Sequence, residues 1–110
     1  MSSPLSPQEG VGEAGLRLVP ERSAVCAGAA EVVVSATQFR LLAVLMSDPG
    51  RIFSRAELVA RAIGAPLKER TVDVHIKEIR RKLEPHGWRV ETVRGGGYRY
   101  RTGAKPEPRG

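Results

Sequence analysis

Cysteine is nearly absent: Cys26 is the single one in 110 residues. A lone cysteine cannot close an intrachain disulfide, so nothing here asks for an oxidising compartment, and its small apolar flanks (Ala24, Val25, Ala27) fit a strand residue rather than a reactive thiol. Long apolar runs are also missing. The longest are a few residues, far short of the roughly 20 that a membrane-spanning helix needs. The opening MSSPLSPQEG has neither the basic nor the apolar segment of a secretory signal. The chain is therefore expected to be cytoplasmic and to have no membrane partner. The two histidines, His75 and His86, are not spaced with cysteine or carboxylates as metal ligands, and no Ser/His/Asp or Cys/His arrangement stands out. RGGGY (94–98) follows a strand-like run but opens no helix, which argues against a dinucleotide loop. The expectation is a protein that is not an enzyme, with no metal and no cofactor.

Acidic residues are also in short supply. Eighteen Lys/Arg stand against 12 Asp/Glu, a net charge of +6 and a pI near 10.2. The composition, 41% hydrophobic and 27% charged, is that of an ordinary globular domain, so the excess points outward to a polyanion: nucleic acid first, an anionic membrane surface second. It is also localised. Residues 1–67 carry six Lys/Arg and six Asp/Glu, whereas residues 68–101 carry ten and five.

Residues 1–15, rich in Ser, Pro, Gly and Glu without periodicity, are expected to be a disordered lead or linker, and GAKPEPRG (103–110) a disordered tail. The folded unit is expected over 16–102. Short apolar runs at 16–19, 24–26 and 32–34, broken by turn residues, predict a small antiparallel meander. Three consecutive valines, Val32 to Val34, predict that its last strand is covered on both faces. Ser35 with Gln38 and Ser54 with Glu57 form two capping-box patterns. The first opens a helix over Phe39, Leu42, Leu45 and Met46 that stops at Pro49–Gly50. The second opens a helix over Arg55–Ile63. Ile52–Phe53 between them suits a short strand pairing.

RTVDVHIKEIRRKL (70–83) predicts a third helix. At about 100° per residue, with Arg70 at zero, Val72, Ile76, Ile79 and Leu83 fall near 200°, 240°, 180° and 220°, one core-facing stripe. The opposite face holds Arg70, Val74, Lys77, Glu78 and Arg81, so Val74 lies in the middle of a basic stripe. In the DNA major groove a valine can touch a thymine methyl while Arg and Lys reach phosphates or guanine edges, and Glu78 can accept from a cytosine N4 amino group. The plainer reading is a lone exposed valine, which needs no explanation. After Pro85 and Gly87, WRVETVRGGGYRYR (88–101) alternates in two runs around three glycines and predicts a β-hairpin. Arg89, Arg94, Arg99 and Arg101 on it would make a second basic element beside the helix. Their plainer reading is a solvated strand face around a tight turn.

VSATQFRLL (34–42), PGRIFSRAEL (49–58), RTVDVHIKEIRRKL (70–83) and ETVRGGGYRY (91–100) together resemble the DNA-binding effector domain of the OmpR/PhoB family of two-component response regulators, over about residues 16–101. The resemblance implies an α+β winged helix-turn-helix: an N-terminal antiparallel sheet, three helices, and a C-terminal β-hairpin wing. The third helix (70–84) would dock in the major groove, with the wing (89–101) at the minor groove. DNA contacts would fall on Arg70, Thr71, Val74, His75, Lys77, Glu78, Arg80, Arg81, Thr92, Arg94, Gly95 and Tyr98. Asp73 would face the first helices as a structural residue. The implied function is sequence-specific binding of double-stranded DNA in transcription regulation, on tandem direct repeats, as a monomer in solution and a dimer on DNA, with RNA polymerase as a further partner. A winged-helix module that binds protein or RNA is the alternative. Four departures bear on these expectations. Glu78 stands where family members often carry a basic residue. Ile63 stands where they commonly have tryptophan, and the 64–69 loop is shorter than usual. The receiver domain of the family has no counterpart in these 110 residues, which read either as a free-standing effector domain or as a piece of a longer regulator.

Overall fold

The computed structural model describes residues 15–63 and 70–103. The expectations for a disordered lead and tail therefore fall outside the described residues, apart from Gly15 and Gly103, as do the 64–69 loop and the side chain of Ile63.

Strands β1 (Arg17–Val19), β2 (Ala24–Ala27) and β3 (Ala30–Val33) form an antiparallel sheet in the order β1-β2-β3. Leu18 pairs with Val25, and Val25 with Val32, so one face of the sheet carries an aliphatic row toward the helices. A one-turn 3-10 helix (Pro20–Arg22) joins β1 to β2, and the Arg22–Glu31 ion pair at 2.8 Å ties that turn to β3. The expectation that β3 is covered on both faces is not met. Val32 is half-buried, but Val33 is 66% exposed. The sheet is an outer layer that meets helices on one side only, and consecutive β residues necessarily point to opposite sides.

Helix α1 (Ala36–Ser47) begins at the anticipated box. Ser35 Oγ accepts from the Gln38 amide, and Gln38 Oε1 accepts from the Ser35 amide, both at 3.1 Å. Two orphan amides of the first turn are thereby satisfied. Ser54 and Glu57 repeat the device at the start of α2 (Arg55–Leu58). Here the predicted single helix over 55–63 differs from what forms: the α-helical hydrogen bonding ends at Leu58 and continues as a π-helical turn, Val59–Ile63. Helix α3 (Arg70–Lys82) leads through a 3-10 turn (Gly87–Arg89) into β4 (Val90–Val93) and β5 (Gly97–Tyr100). Phe53 forms a lone bridge with Tyr98, exchanging both backbone hydrogen bonds at 2.8 and 3.0 Å. The short pairing anticipated at Ile52–Phe53 is thus the link that anchors the hairpin to the helices.

The core lies between the sheet and the three helices. Leu41, Leu42 and Leu45 of α1, Leu58 of α2, and Val72, Ile76, Ile79 of α3 with Leu83 are all fully buried, together with Val25, Phe53 and Val90. Each such side chain contributes roughly 1.5–3 kcal/mol by leaving water. Three helices, an N-terminal three-stranded sheet and a C-terminal two-stranded hairpin make this a winged helix-turn-helix.

Candidate nucleic-acid interface

The 3.6-residue period dictates which side of α3 is left for a partner. Val72, Ile76, Ile79 and Leu83 are 0% exposed, so the helix cannot rotate without exposing four aliphatic side chains. Arg70, Val74, Lys77 and Arg81 consequently face outward. Val74 is 62% exposed, in the middle of that row. Glu78 is half-buried on its edge and accepts from Arg81 Nη2 at 2.6 Å through Oε1. The hydrogen bond and charge of Arg81 hold the Glu78 carboxyl below the usual carboxylate range. Thr71 and His75 are half-buried on the flanks.

Five side-chain hydrogen bonds fix α3. Asp73 Oδ1 accepts from Arg55 Nε at 2.7 Å and from the Tyr98 hydroxyl, joining α2, α3 and the hairpin at one carboxylate. Burial raises the Asp73 carboxyl more than any other single influence, but the hydrogen bonds from Tyr98 and Arg55 together outweigh it, and its pKa lies below the ordinary value. Arg80 Nε donates to the Val90 carbonyl at 2.9 Å, and its Nη2 donates to Thr92 Oγ1 at 2.6 Å. Lys82 Nζ donates to Gln38 Oε1 at 2.9 Å, securing the far end of α3 to α1. Two guanidinium groups lie over the Tyr98 ring, Arg55 at 5.3 Å and Arg80 at 5.7 Å from its centroid.

The structure divides the candidate residues into two groups. Arg70, Val74, Lys77, Arg81, Thr92, Arg94 and Gly95 are exposed, and the half-buried Thr71, His75 and Glu78 border them. Arg80 and Tyr98 are braces: Arg80 is engaged by the wing, and Tyr98 is 4% exposed with its hydroxyl on Asp73. Burial first, then that hydrogen bond, raise the Tyr98 phenol and keep it protonated. Because Thr92 Oγ1 accepts from Arg80, its own O–H is left to donate outward.

The wing is less basic than its arginine count suggests. Arg89 is 4% exposed, donates to the carbonyls of Arg101 (2.9 Å) and Gly103 (3.2 Å), and stacks on Trp88. Arg99 and Arg101 share Glu91 at 2.6 and 3.2 Å. Among the described residues, Arg94 at the turn is the one wing arginine with no side-chain partner. Two contributors escape sequence reasoning. Arg55 gives no local signal, because its partner is 18 residues away. Gly97 is one of three consecutive glycines, and only the fold singles it out: at φ +133°, a Cβ there would run into the Phe53 carbonyl. Among the described residues no three His, Cys, Asp or Glu side chains gather to hold a metal, and no helix is long and apolar enough to cross a membrane.

Known proteins resemble this chain in sequence and in fold. A family model described as "Transcriptional regulatory protein, C terminal" matches residues 29–100. The phosphate regulon transcriptional regulatory protein PhoB of Escherichia coli K12 is 40% identical over 104 residues, covering 91% of this chain and 45% of that protein. The chain thus spans less than half the length of that relative. Among solved structures, the DNA-binding domain of the response regulator AdeR in complex with an intercistronic region superposes with a TM-score of 0.71 at 26% identity, covering 81% of this chain and 96% of that one. The Klebsiella pneumoniae RstA DNA-binding domain in complex with the RstA box gives 0.67 at 30% identity, covering 79% and 91%.

Proposed function

The chain belongs to the OmpR/PhoB-type family of transcriptional regulatory protein C-terminal domains, and on that premise we propose that it binds double-stranded DNA sequence-specifically to regulate transcription. The observation that carries this reading is the outer face of α3: an exposed valine, Val74, surrounded by Arg70, Lys77 and Arg81. Phosphate contacts position a protein on a duplex, while an apolar group and a carboxylate on the same face discriminate among base edges. Helix α3 enters the major groove. Arg80 holds the wing beside it, so that Thr92, Arg94 and Gly95 reach the neighbouring backbone or minor groove. Thr71 and His75 flank the helix within reach of phosphates.

One domain of this size presents a small surface to DNA. The reading therefore includes head-to-tail occupancy of tandem direct repeats, with monomers in solution and dimers formed on DNA. It further includes a cytoplasmic location, a contact with RNA polymerase, and neither catalysis nor a cofactor.

Selection of bound duplexes from a random pool at about 150 mM salt, where exposed charges are strongly screened, tests the proposal. A recovered motif, repeated at about one helical turn, is the expected result. An unenriched pool overturns it, and the interaction-module alternative would then account for the basic face.

A further inference from the structure

A carboxylate on a phosphate-facing surface lowers affinity for every duplex alike, so Glu78 is a cost that positioning cannot explain. Its gain must lie in discrimination between base pairs. The side chain does not stand alone. Glu78 Oε1 accepts from Arg81 Nη2 at 2.6 Å, one turn along the same face. Among the described residues the second oxygen, Oε2, has no hydrogen bond, and Arg81, with its side chain 68% exposed, engages only Nη2. The pair therefore presents an acceptor directly beside several donors, already joined to one another. The major-groove edge of a C·G pair carries the opposite order: a donor, cytosine N4–H, beside two acceptors, guanine O6 and N7. No other base pair has a donor next to two acceptors on its partner base. The ion pair also tempers the repulsion between the carboxylate and phosphates without removing it, while both groups keep unused hydrogen-bonding capacity.

We infer that Glu78 and Arg81 act as one unit that reads a single C·G base pair, Glu78 accepting from cytosine N4 and Arg81 donating to guanine O6 and N7. The inference rests on the proposed sequence-specific binding and assigns part of its operator.

Parallel selections from random duplexes with the unaltered chain, Glu78→Ala and Arg81→Ala test it. Both side chains lie at the surface, so the variants should fold, which an unchanged far-UV spectrum verifies. The expected result is a motif with one C·G pair preferred on the order of ten- to a hundredfold. Both substitutions should relax that same position and leave the rest of the motif in place. Replacing its guanine by 7-deazaguanine, which lacks the N7 acceptor, should weaken the unaltered chain and leave Arg81→Ala unaffected. A motif without a fixed C·G pair overturns the inference while leaving sequence-specific binding intact. So do substitutions that relax different positions, or none. Failure of the unaltered chain to enrich any motif overturns the underlying reading and this inference with it.

Discussion

Gly97 and Gly95 are two residues apart, both at positive φ, and they should respond very differently to the same change. At Gly95 (φ +79°) nothing lies within 4 Å of an added methyl carbon, so Gly95→Ala meets only the left-handed backbone penalty, about 1–2 kcal/mol. At Gly97 the added carbon meets the backbone of Phe53 and Ser54 as well. Gly97→Ala should therefore cost about 3 kcal/mol or more, because it opens the Phe53–Tyr98 bridge that anchors the wing. Urea unfolding of the two variants measures the contrast, and equal losses would mean that the close approach is not what demands glycine. Lys77, exposed on the outer face of α3, should act as a phosphate contact. Lys77→Ala should weaken binding to all sequences alike and flatten the slope of log K against log salt by about one.

Between elements, the consequential contacts are those that lock α3 to its neighbours. Arg80 joins α3 to β4 through the Val90 carbonyl and the Thr92 hydroxyl. Arg80→Ala should leave the core in place, because Val90, Tyr98 and Tyr100 remain buried, but loosen the angle between helix and wing. The expected outcome is a roughly tenfold loss of DNA affinity with faster amide exchange confined to β4 and β5. A uniform rise in exchange across α1 to α3 would assign Arg80 to global stability instead. Asp73 makes the parallel link from α3 to α2 and the hairpin, and its carboxyl pKa is depressed on folding. A depressed carboxylate binds fewer protons folded than unfolded. Its stabilisation is therefore complete above the unfolded value, about 4, and is lost as pH falls through the lower folded value. The stability difference between the unaltered chain and Asp73→Asn should accordingly be constant from pH 7 to about pH 5 and shrink below about pH 4. Urea unfolding across that range measures it, and a difference that persists unchanged into acid would contradict the assignment.

Across the whole molecule, positive charge is concentrated where the fold places α3 and the wing: residues 1–67 balance to zero while residues 68–101 carry ten Lys/Arg against five Asp/Glu. Much of that architecture is legible locally. The boxes at Ser35–Gln38 and Ser54–Glu57 are written within four residues, and the stripe Val72, Ile76, Ile79, Leu83 follows from helical period alone. What the sequence conceals is the fate of individual side chains whose partners are distant. Arg89 looks like a wing cation but is buried on the Arg101 and Gly103 carbonyls, and Tyr98 looks like a surface ring but donates to Asp73, 25 residues away. The Tyr100 hydroxyl accepts from the Leu16 amide across 84 residues. Val33 departs from expectation for a related reason, since three valines in a row do not reveal that the sheet has helices on one side only. Amide chemical shifts of the isotope-labelled chain, followed on addition of a short duplex carrying the selected motif, show whether the Val74 face of α3 and the tip of the wing meet DNA. Shifts concentrated at residues 70–81 and 92–95, with a silent β1–β3 sheet, are the predicted result. Shifts centred on the sheet around Val33, or none along α3, would contradict it.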